Sequence, residues 1–125
     1  VDVKIMMPHI TDKPSAYLVA RTYYPKLIDR GIEIYEYTPG FVHAKTFVSD
    51  DKRAVVGTIN MDFRSLYLNL ECAAYMENVS AIGDIYDDYM KTLEKCKMIT
   101  KEDCDKYNPI FKLIGKLLWT IAPLM

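Results

Sequence analysis

The spacing of apolar and polar residues along the first third of the chain predicts a strand, a helix and a second strand. Residues 1–8 are rich in β-forming side chains and stop at a proline, as a strand does. Residues 15–30 carry helical spacing, which is interrupted near Pro25 and ended by Gly31, and residues 32–37 alternate like a half-buried strand. This order predicts a βαβ unit with parallel pairing.

The middle of the chain predicts further strands. Residues 41–48 and 53–57 are β-like runs separated by a polar turn, and residues 68–76 form another apolar run. Residues 60–67 are irregular or form a short helix. The whole pattern therefore predicts one α/β domain over residues 1–125, with a mixed, partly parallel β-sheet and helices on both faces.

Helical patterns dominate the last third. Apolar residues at three- and four-residue steps predict a helix that ends at about Lys97, with Asn78 or Ser80 as its N-cap. Thr100 to Asp103 resemble a capping box for a short helix. Residues 109–122 predict a final amphipathic helix before Pro123. That helix is shorter than the roughly 20 residues that span a bilayer. Two interpretations stay open, in which it lies flat on a lipid surface or packs on protein.

Composition narrows the class of protein. Half of the 125 residues are apolar and 26% are charged, which is typical of a globular chain. The net charge of -1 gives no field that would attract nucleic acid. The three cysteines form no CxxC pair, so we expect neither a disulfide framework nor a metal site, and no cofactor is indicated. Because the chain starts with Val1 inside a predicted strand, we expect it to be a piece of a longer protein.

His43 and Lys45 are the residues that most directly indicate chemistry. Residues two apart in a strand project from the same face, so the imidazole and the ammonium group are expected side by side. A lysine aimed into a crevice is costly to desolvate unless an anion satisfies it. Such a pair suits an anionic centre, because the cation holds the anion while the imidazole attacks it or moves a proton.

Residues on the next two predicted strands add to this site. Gly57 allows a close approach of the backbone, and Thr58 and Asn60 offer a hydroxyl and an amide, which are good phosphate ligands. Glu71 is placed to accept the second ring N–H of a histidine and fix its tautomer. The residues alone therefore predict a phosphate-handling pocket.

The same residues carry a resemblance to a known family. The chain matches the pattern HxKx4Dx6G(S/T)xN of the phospholipase D superfamily at every defined spacing, in His43, Lys45, Asp50, Gly57, Thr58 and Asn60. Thr58 stands where serine is more usual, and both residues provide a hydroxyl. The flanking residues 35–41 and 60–71, and residues 122–125 at the end, resemble the second motif region of bacterial cardiolipin synthases.

The resemblance implies a metal-independent phosphodiester transfer in two steps. One histidine attacks phosphorus to form a phosphatidyl-histidine, and a second histidine protonates the leaving alcohol. In cardiolipin synthases both donor and acceptor are taken to be phosphatidylglycerol, and glycerol leaves. Since this chain has one histidine-lysine-aspartate (HKD) motif, the resemblance implies that the partner motif comes from a missing N-terminal half or from a second copy in a homodimer.

By this likeness each motif residue has a role. Lys45 and Asn60 would hold the nonbridging phosphate oxygens, and Thr58 would add a hydrogen bond. Glu71 would orient His43, which would more often be the acid and base than the nucleophile. Asp50 belongs to the motif but is expected to act as a structural turn residue.

Three functions follow from these observations. The first is phosphatidyl transfer at a bacterial cell membrane, by a catalytic domain on its surface that meets phosphatidylglycerol and cardiolipin. The second is a homodimeric phosphodiesterase or nuclease with the same motif, which the mild charge disfavours. The third is a non-catalytic half that serves in assembly or membrane docking, which the complete motif disfavours.

Overall fold

The computed structural model of this chain describes residues 1–122. The end of the chain at residues 123–125, which entered the likeness to cardiolipin synthases, lies outside the described residues. Among residues 1–122, no helix is both long and apolar enough to cross a membrane. The elements in chain order are β1 (Lys4–Pro8), α1 (Pro14–Ile28), β2 (Glu33–Tyr37), β3 (Thr46–Ser49), β4 (Arg53–Gly57), α2 (Phe63–Tyr67), β5 (Ala73–Glu77), α3 (Ala81–Leu93), β6 (Cys96–Met98), α4 (Lys101–Lys106) and α5 (Pro109–Trp119).

The α/β class is confirmed, and the sheet is partly parallel as expected. The strands do not form one mixed sheet, however, because they are divided between a sheet of order β1-β2-β6 and a sheet of order β3-β4-β5. The chain correspondingly forms two compact units. The first contains residues 1–42 and the chain from Cys96 onward, and the second contains residues 43–95.

The first unit contains the predicted βαβ arrangement. Strands β1 and β2 pair in parallel, with Ile5 opposite Ile34, and α1 connects them. The helix runs through Pro25 without the expected interruption, and the N–H of Asp29 still donates to the Pro25 carbonyl oxygen at 3.0 Å. Its apolar side rests on a core built from Tyr24, Ile34 and Ile99.

Strand β6 was not predicted. Helix α3 ends at Leu93, whereas the apolar spacing had extended it to Lys97. Cys96–Met98 instead pairs antiparallel with β2 and completes the first sheet. Three residues are too few for strand alternation to be distinguished from the end of a helix. The capping box at Thr100 is confirmed, because its side chain accepts from the Asp103 N–H and Asp103 accepts from the Thr100 N–H.

A buried carboxylate lies at the centre of the first unit. Glu36 is 1% exposed, and its oxygens accept hydrogen bonds from Arg21 at 2.7 and 3.1 Å, from the Tyr17 hydroxyl at 3.0 Å and from His9 Nδ1 at 2.8 Å. The Arg21 guanidinium also lies over the rings of Tyr17 and Tyr107. A buried charge is tolerated when it is paired and hydrogen-bonded on both oxygens. This network therefore fixes α1 and the loop after β1 to strand β2.

The network makes the stability of the first unit depend on pH. Burial acts to raise the pKa of Glu36, but the hydrogen bonds from His9 and Arg21, with the charge of Arg21, outweigh burial and lower the pKa below its ordinary 4.5. A lowered pKa means that Glu36 stabilises the folded state fully above pH 4.5 and that this contribution is lost as the pH falls through the folded-state value.

We therefore expect the free-energy advantage of the wild-type chain over Glu36→Gln to shrink on acidification below pH 4.5. Denaturant unfolding of both proteins across the acid range measures this difference. A difference that stays constant, or grows, as the pH falls would contradict the assignment of a charged Glu36.

The second unit is an antiparallel sheet with two helices. Strands β3 and β4 form a hairpin, with Phe47 opposite Val55, and β4 pairs with β5. Ala54 and Ile82 are each 1% exposed, and helix α3 contacts both strands of the hairpin. All six residues of the motif, together with Glu71, lie in this unit.

Candidate active site

The β3–β4 hairpin and the start of β5 position the motif residues. The N–H of Gly57 donates to the Lys45 carbonyl oxygen at 3.2 Å, so the pairing of the hairpin continues one residue before β3 begins. On the other side of β4, the Thr58 N–H donates to the Cys72 carbonyl oxygen at 3.0 Å. Lys45, Thr58 and the chain just after Glu71 therefore lie at the same end of the second sheet.

His43 and Lys45 lie immediately before strand β3 and not within it. The predicted strand over residues 41–48 is thus wrong at its start, since the structure begins it at Thr46. Strand alternation therefore does not set the directions of these two side chains. Lys45 is half-buried and its Nζ donates to the carbonyl oxygen of His43 at 3.0 Å, while His43 is exposed. The ammonium group is thereby brought back to the backbone that carries the imidazole.

Glu71 is held by neighbours that the sequence did not identify as its partners. The Thr58 hydroxyl donates to one carboxylate oxygen at 2.5 Å, and Asn69 Nδ2 donates to the other at 3.3 Å. These hydrogen bonds, with the one from Ser65 and the positive charge of Lys45, keep the pKa of Glu71 below its ordinary value, and the bond from Thr58 contributes most. Glu71 is therefore a carboxylate at neutral pH, in the field of Lys45. Its expected contact with the His43 ring stays a prediction.

Thr58 hydrogen-bonds to two parts of the chain near Glu71. Its hydroxyl oxygen accepts the Cys72 N–H at 3.1 Å while its single hydrogen points to Glu71. A hydroxyl has only one hydrogen to donate. In this structure Thr58 supports the Glu71 carboxylate, and its hydrogen bond to a phosphate oxygen stays a prediction.

Asn60 and Ser65 form a second pair beside this carboxylate. Asn60 Nδ2 lies 3.5 Å from Ser65 Oγ, a long hydrogen bond that leaves the amide available to a stronger acceptor. Ser65 is 7% exposed and sits in α2, whose first turn is capped by Asp62 through the Ser65 N–H at 2.7 Å. Sequence reasoning missed Ser65. The D-x-x-S spacing that predicts a helix cap was the available signal.

Asp50 lies away from these groups, in the turn at the opposite end of β3 from Lys45. Asp50 and Asp51 both adopt left-handed backbone conformations, with φ of 53° and 54°, and the Ser49 hydroxyl donates to Asp50 at 3.0 Å. Aspartate is one of the few residues that tolerate this conformation. The geometry favours the structural role for Asp50 within the motif.

Gly57 is required by the packing of the strand that follows. A Cβ at this position would lie 2.5 Å from the Cα of Ala73 and would also collide with the carbonyl oxygen of Cys72. Both obstacles are backbone atoms of the neighbouring chain segment, which cannot move without breaking the ladder. The close approach expected from the sequence is thus real, and its partner is β5.

We expect Gly57→Ala to lower the free energy of unfolding by about 1–3 kcal/mol, because the added methyl group forces β4 and β5 apart. Thermal or denaturant unfolding measures the change. Gly83→Ala is the matched control, since nothing lies within 4 Å of a Cβ built there and its helix gains from alanine. Equal stability of the Gly57 and Gly83 variants would contradict the close contact.

The assembled groups are suited to an anion. The exposed imidazole of His43 and the Lys45 cation lie on the segment before β3, and the positive charge of Lys45 acts on Glu71, which Thr58 and Asn69 hydrogen-bond. Within residues 1–122 no three His, Cys, Asp or Glu side chains are grouped as metal ligands would be. An imidazole and an ammonium group are the side chains that proton transfer and the binding of an anion require.

Comparison with known proteins places this chain in a family. Residues 1–97 match the family described as cardiolipin synthase, PLD-like domain. The chain is 49% identical to an uncharacterized protein of Streptococcus mutans, with all of this chain covered and 27% of that protein. It is 36% identical to a cardiolipin synthase of Alkalihalophilus pseudofirmus and to one of Clostridium perfringens, again over the whole chain, covering 25% and 26% of those proteins.

The chain therefore spans about a quarter of the length of these relatives. Since the family match covers most of the chain and includes every residue of the HKD motif, the protein belongs to the cardiolipin synthase family of phospholipase D-like domains.

Proposed function

We propose that this chain supplies one of the two HKD motifs of a phospholipid phosphatidyltransferase, which joins two phosphatidylglycerol molecules to give cardiolipin and glycerol. The observation that carries the proposal is that Lys45 hydrogen-bonds to the backbone of His43 and its charge also acts on Glu71, in a chain whose relatives include cardiolipin synthases. Phosphatidylglycerol is a phosphodiester with one negative charge, and the site offers one strong cation to meet it.

In the first step a histidine of the partner motif attacks the phosphorus of one phosphatidylglycerol. A P–N bond forms between this histidine and phosphorus as the bond between phosphorus and the headgroup glycerol oxygen breaks. His43 gives its proton to the departing glycerol oxygen. Lys45 and Asn60 hold the nonbridging oxygens, on which negative charge increases in the transition state.

In the second step His43, now neutral, takes the proton from a glycerol hydroxyl of a second phosphatidylglycerol. The resulting oxygen attacks phosphorus and displaces the partner histidine, so cardiolipin is formed and both histidines return to their starting states. Glu71 stays ionised through both steps and stabilises the imidazolium by its charge.

Apolar side chains close to the motif support a lipid substrate and an absent partner. Residues between Asn60 and Glu71 leave large apolar side chains in solvent, at Met61, Leu66, Tyr67, Leu68 and Leu70. Exposed apolar patches of this kind mark surfaces that contact protein or lipid. Such an apolar patch favours contact with acyl chains or with the second catalytic half over contact with the backbone of a nucleic acid. We therefore propose that the enzyme works at the surface of a bacterial membrane.

The test is to co-express this chain with a candidate N-terminal half and to measure cardiolipin formed from phosphatidylglycerol vesicles. We expect cardiolipin and glycerol in equal amounts from the pair and little or none from either half alone. Hydrolysis of bis(p-nitrophenyl) phosphate or DNA by this chain alone, with light scattering showing a dimer, would instead support the homodimeric phosphodiesterase and contradict the proposal. A pair that associates but turns over neither substrate would support the non-catalytic interpretation.

A further inference from the structure

A half-open cavity lies in the first unit, and none of the residues that line it belongs to the motif. Helices α1, α4 and α5 enclose a volume of about 200 Å³. Its walls are mostly apolar or aromatic, from Leu18, Tyr24, Pro25, Ile99, Cys104 and Tyr107. Ile99 and Tyr24 are 4% and 3% exposed, so the floor of the cavity is the core of the unit. A cavity of this lining suits a hydrocarbon chain more than a polar ligand.

Some of the charged side chains that line the cavity have a close ion-pair partner and others do not. Arg21 is bound to the buried Glu36, and Asp103 is bound to Lys97 at 2.8 Å. Lys112 Nζ is 4.0 Å from the Asp105 carboxylate, which is 87% exposed, and donates a long hydrogen bond to the Asp105 carbonyl oxygen at 3.4 Å, while Lys116 makes no ion pair within residues 1–122. Lys112 and Lys116 stand one helical turn apart on α5 and both line the cavity. The rim therefore carries two cations that an anionic group would satisfy.

The outer face of α5 is apolar as well. Ile110, Leu113 and Leu117 are 64%, 60% and 63% exposed, whereas Gly115 faces α1. A Cβ at Gly115 would lie 2.7 Å from the Leu18 carbonyl oxygen, so the two helices touch at this point and the apolar face is held outward. Lysines beside an apolar helix face are the arrangement of a helix that lies at a lipid surface.

We propose that this cavity is an accessory lipid site, which takes one acyl chain of an anionic phospholipid while Lys112 and Lys116 hold its phosphate. The site goes beyond the proposed phosphatidyl transfer and uses none of the motif residues. It would draw one lipid of the bilayer into contact with the helix and so fix the first unit on an anionic membrane. Choline phospholipids offer the same acyl chain but carry no net charge, because the choline group neutralises the phosphate. We therefore expect the site to bind them less well.

Cys104 provides a direct test because it lines the cavity, while Cys72 is exposed in the second unit. The chain is alkylated with N-ethylmaleimide, with and without dodecyl phosphate below its micelle concentration, and each cysteine is followed by mass spectrometry. Alkaline pH is used because burial raises the pKa of the Cys104 thiol. At ten times the dissociation constant, we expect dodecyl phosphate to slow alkylation of Cys104 about tenfold and to leave Cys72 unchanged.

Matched probes and variants test whether the site requires both the alkyl chain and the phosphate charge. Dodecylphosphocholine and inorganic phosphate should protect Cys104 much less, and the double variant Lys112→Glu/Lys116→Glu should lose the protection. Lys106→Glu, on α4 and outside the cavity lining, is the charge control and should keep it. Circular dichroism of each variant verifies folding, and protection that survives in His43→Ala separates this site from the proposed active site.

Several results would overturn the proposal. Equal protection by dodecyl phosphate and dodecylphosphocholine would mean an apolar cavity without a phosphate site. Protection by inorganic phosphate alone would mean an anion site without a chain. If no lipid protects Cys104 and the candidate N-terminal half binds to α5 instead, the outer face of α5 is a protein interface.

Discussion

Replacing His43 with alanine is expected to lower cardiolipin formation by the assembled pair of halves by about 10²- to 10⁴-fold, the usual contribution of a positioned acid–base group. In the proposed mechanism His43 protonates the leaving glycerol and deprotonates the acceptor hydroxyl, so its removal slows both steps. The initial rate of cardiolipin formation from phosphatidylglycerol vesicles, at equal concentrations of both halves, measures this loss.

The chain offers a matched control, because it has one other histidine, His9. His9→Ala removes a hydrogen bond to Glu36 in the first unit and leaves the motif intact. We expect it to change the rate far less than His43→Ala, with a lower melting temperature. Turnover by His43→Ala at the wild-type rate would exclude His43 from the chemistry, whatever the effect of His9→Ala.

Replacing Glu36 with alanine is expected to have the largest effect on stability, about 3–5 kcal/mol, because it leaves the Arg21 guanidinium without its carboxylate in a mostly buried place. The side chains of Glu36 and Arg21 are 1% and 19% exposed. Denaturant unfolding of the chain, with the midpoint and slope analysed together, measures the loss.

Glu77→Ala is the control, because it removes a surface ion pair, Arg53–Glu77, whose N···O distance of 3.0 Å is similar to the 2.7 Å of Arg21–Glu36. Glu77 and Arg53 are 45% and 60% exposed, and a pair of that kind contributes about 0–1 kcal/mol. The double change Glu36→Leu/Arg21→Met should cost less than Glu36→Ala, since it removes both buried charges. Equal losses for Glu36→Ala and Glu77→Ala would contradict a central role for this network.

The sequence predicts the first unit better than the second. Gly31 and the alternation through Ile34 were enough to predict α1, β2 and their parallel unit, because each signal is local. The pairing of strands is not local, and nothing in the spacing of apolar residues separates one mixed sheet from two small ones. The alternation through Ile34 and Glu36 did contain a further signal, since a carboxylate on the buried face of a strand requires a cation such as Arg21.

The structure brings Lys45, Thr58 and Glu71 to one end of the second sheet, and the catalytic roles of the motif residues stay predictions. The HKD spacing includes Lys45 and Thr58, whereas Glu71 was added to the site from the chain that follows the motif. The partners of Glu71 depend on where a loop turns, and the structure places Thr58 and Asn69 there. Ser65 was missed because α2 is only five residues long and carries little periodic signal.

The central claim is that His43 and Lys45 meet a phosphodiester together, and nuclear magnetic resonance of the two histidine rings tests it most directly. The variant Lys112→Glu/Lys116→Glu, labelled on histidine, is titrated with a short-chain phosphatidylglycerol below its micelle concentration, so that the proposed accessory lipid site does not contribute to the binding. We predict that the ring signals of His43 shift to saturation, that those of His9 stay in place, and that Lys45→Met abolishes the shift. Saturable binding that leaves the His43 ring unchanged, or a shift that persists in Lys45→Met, would contradict this account.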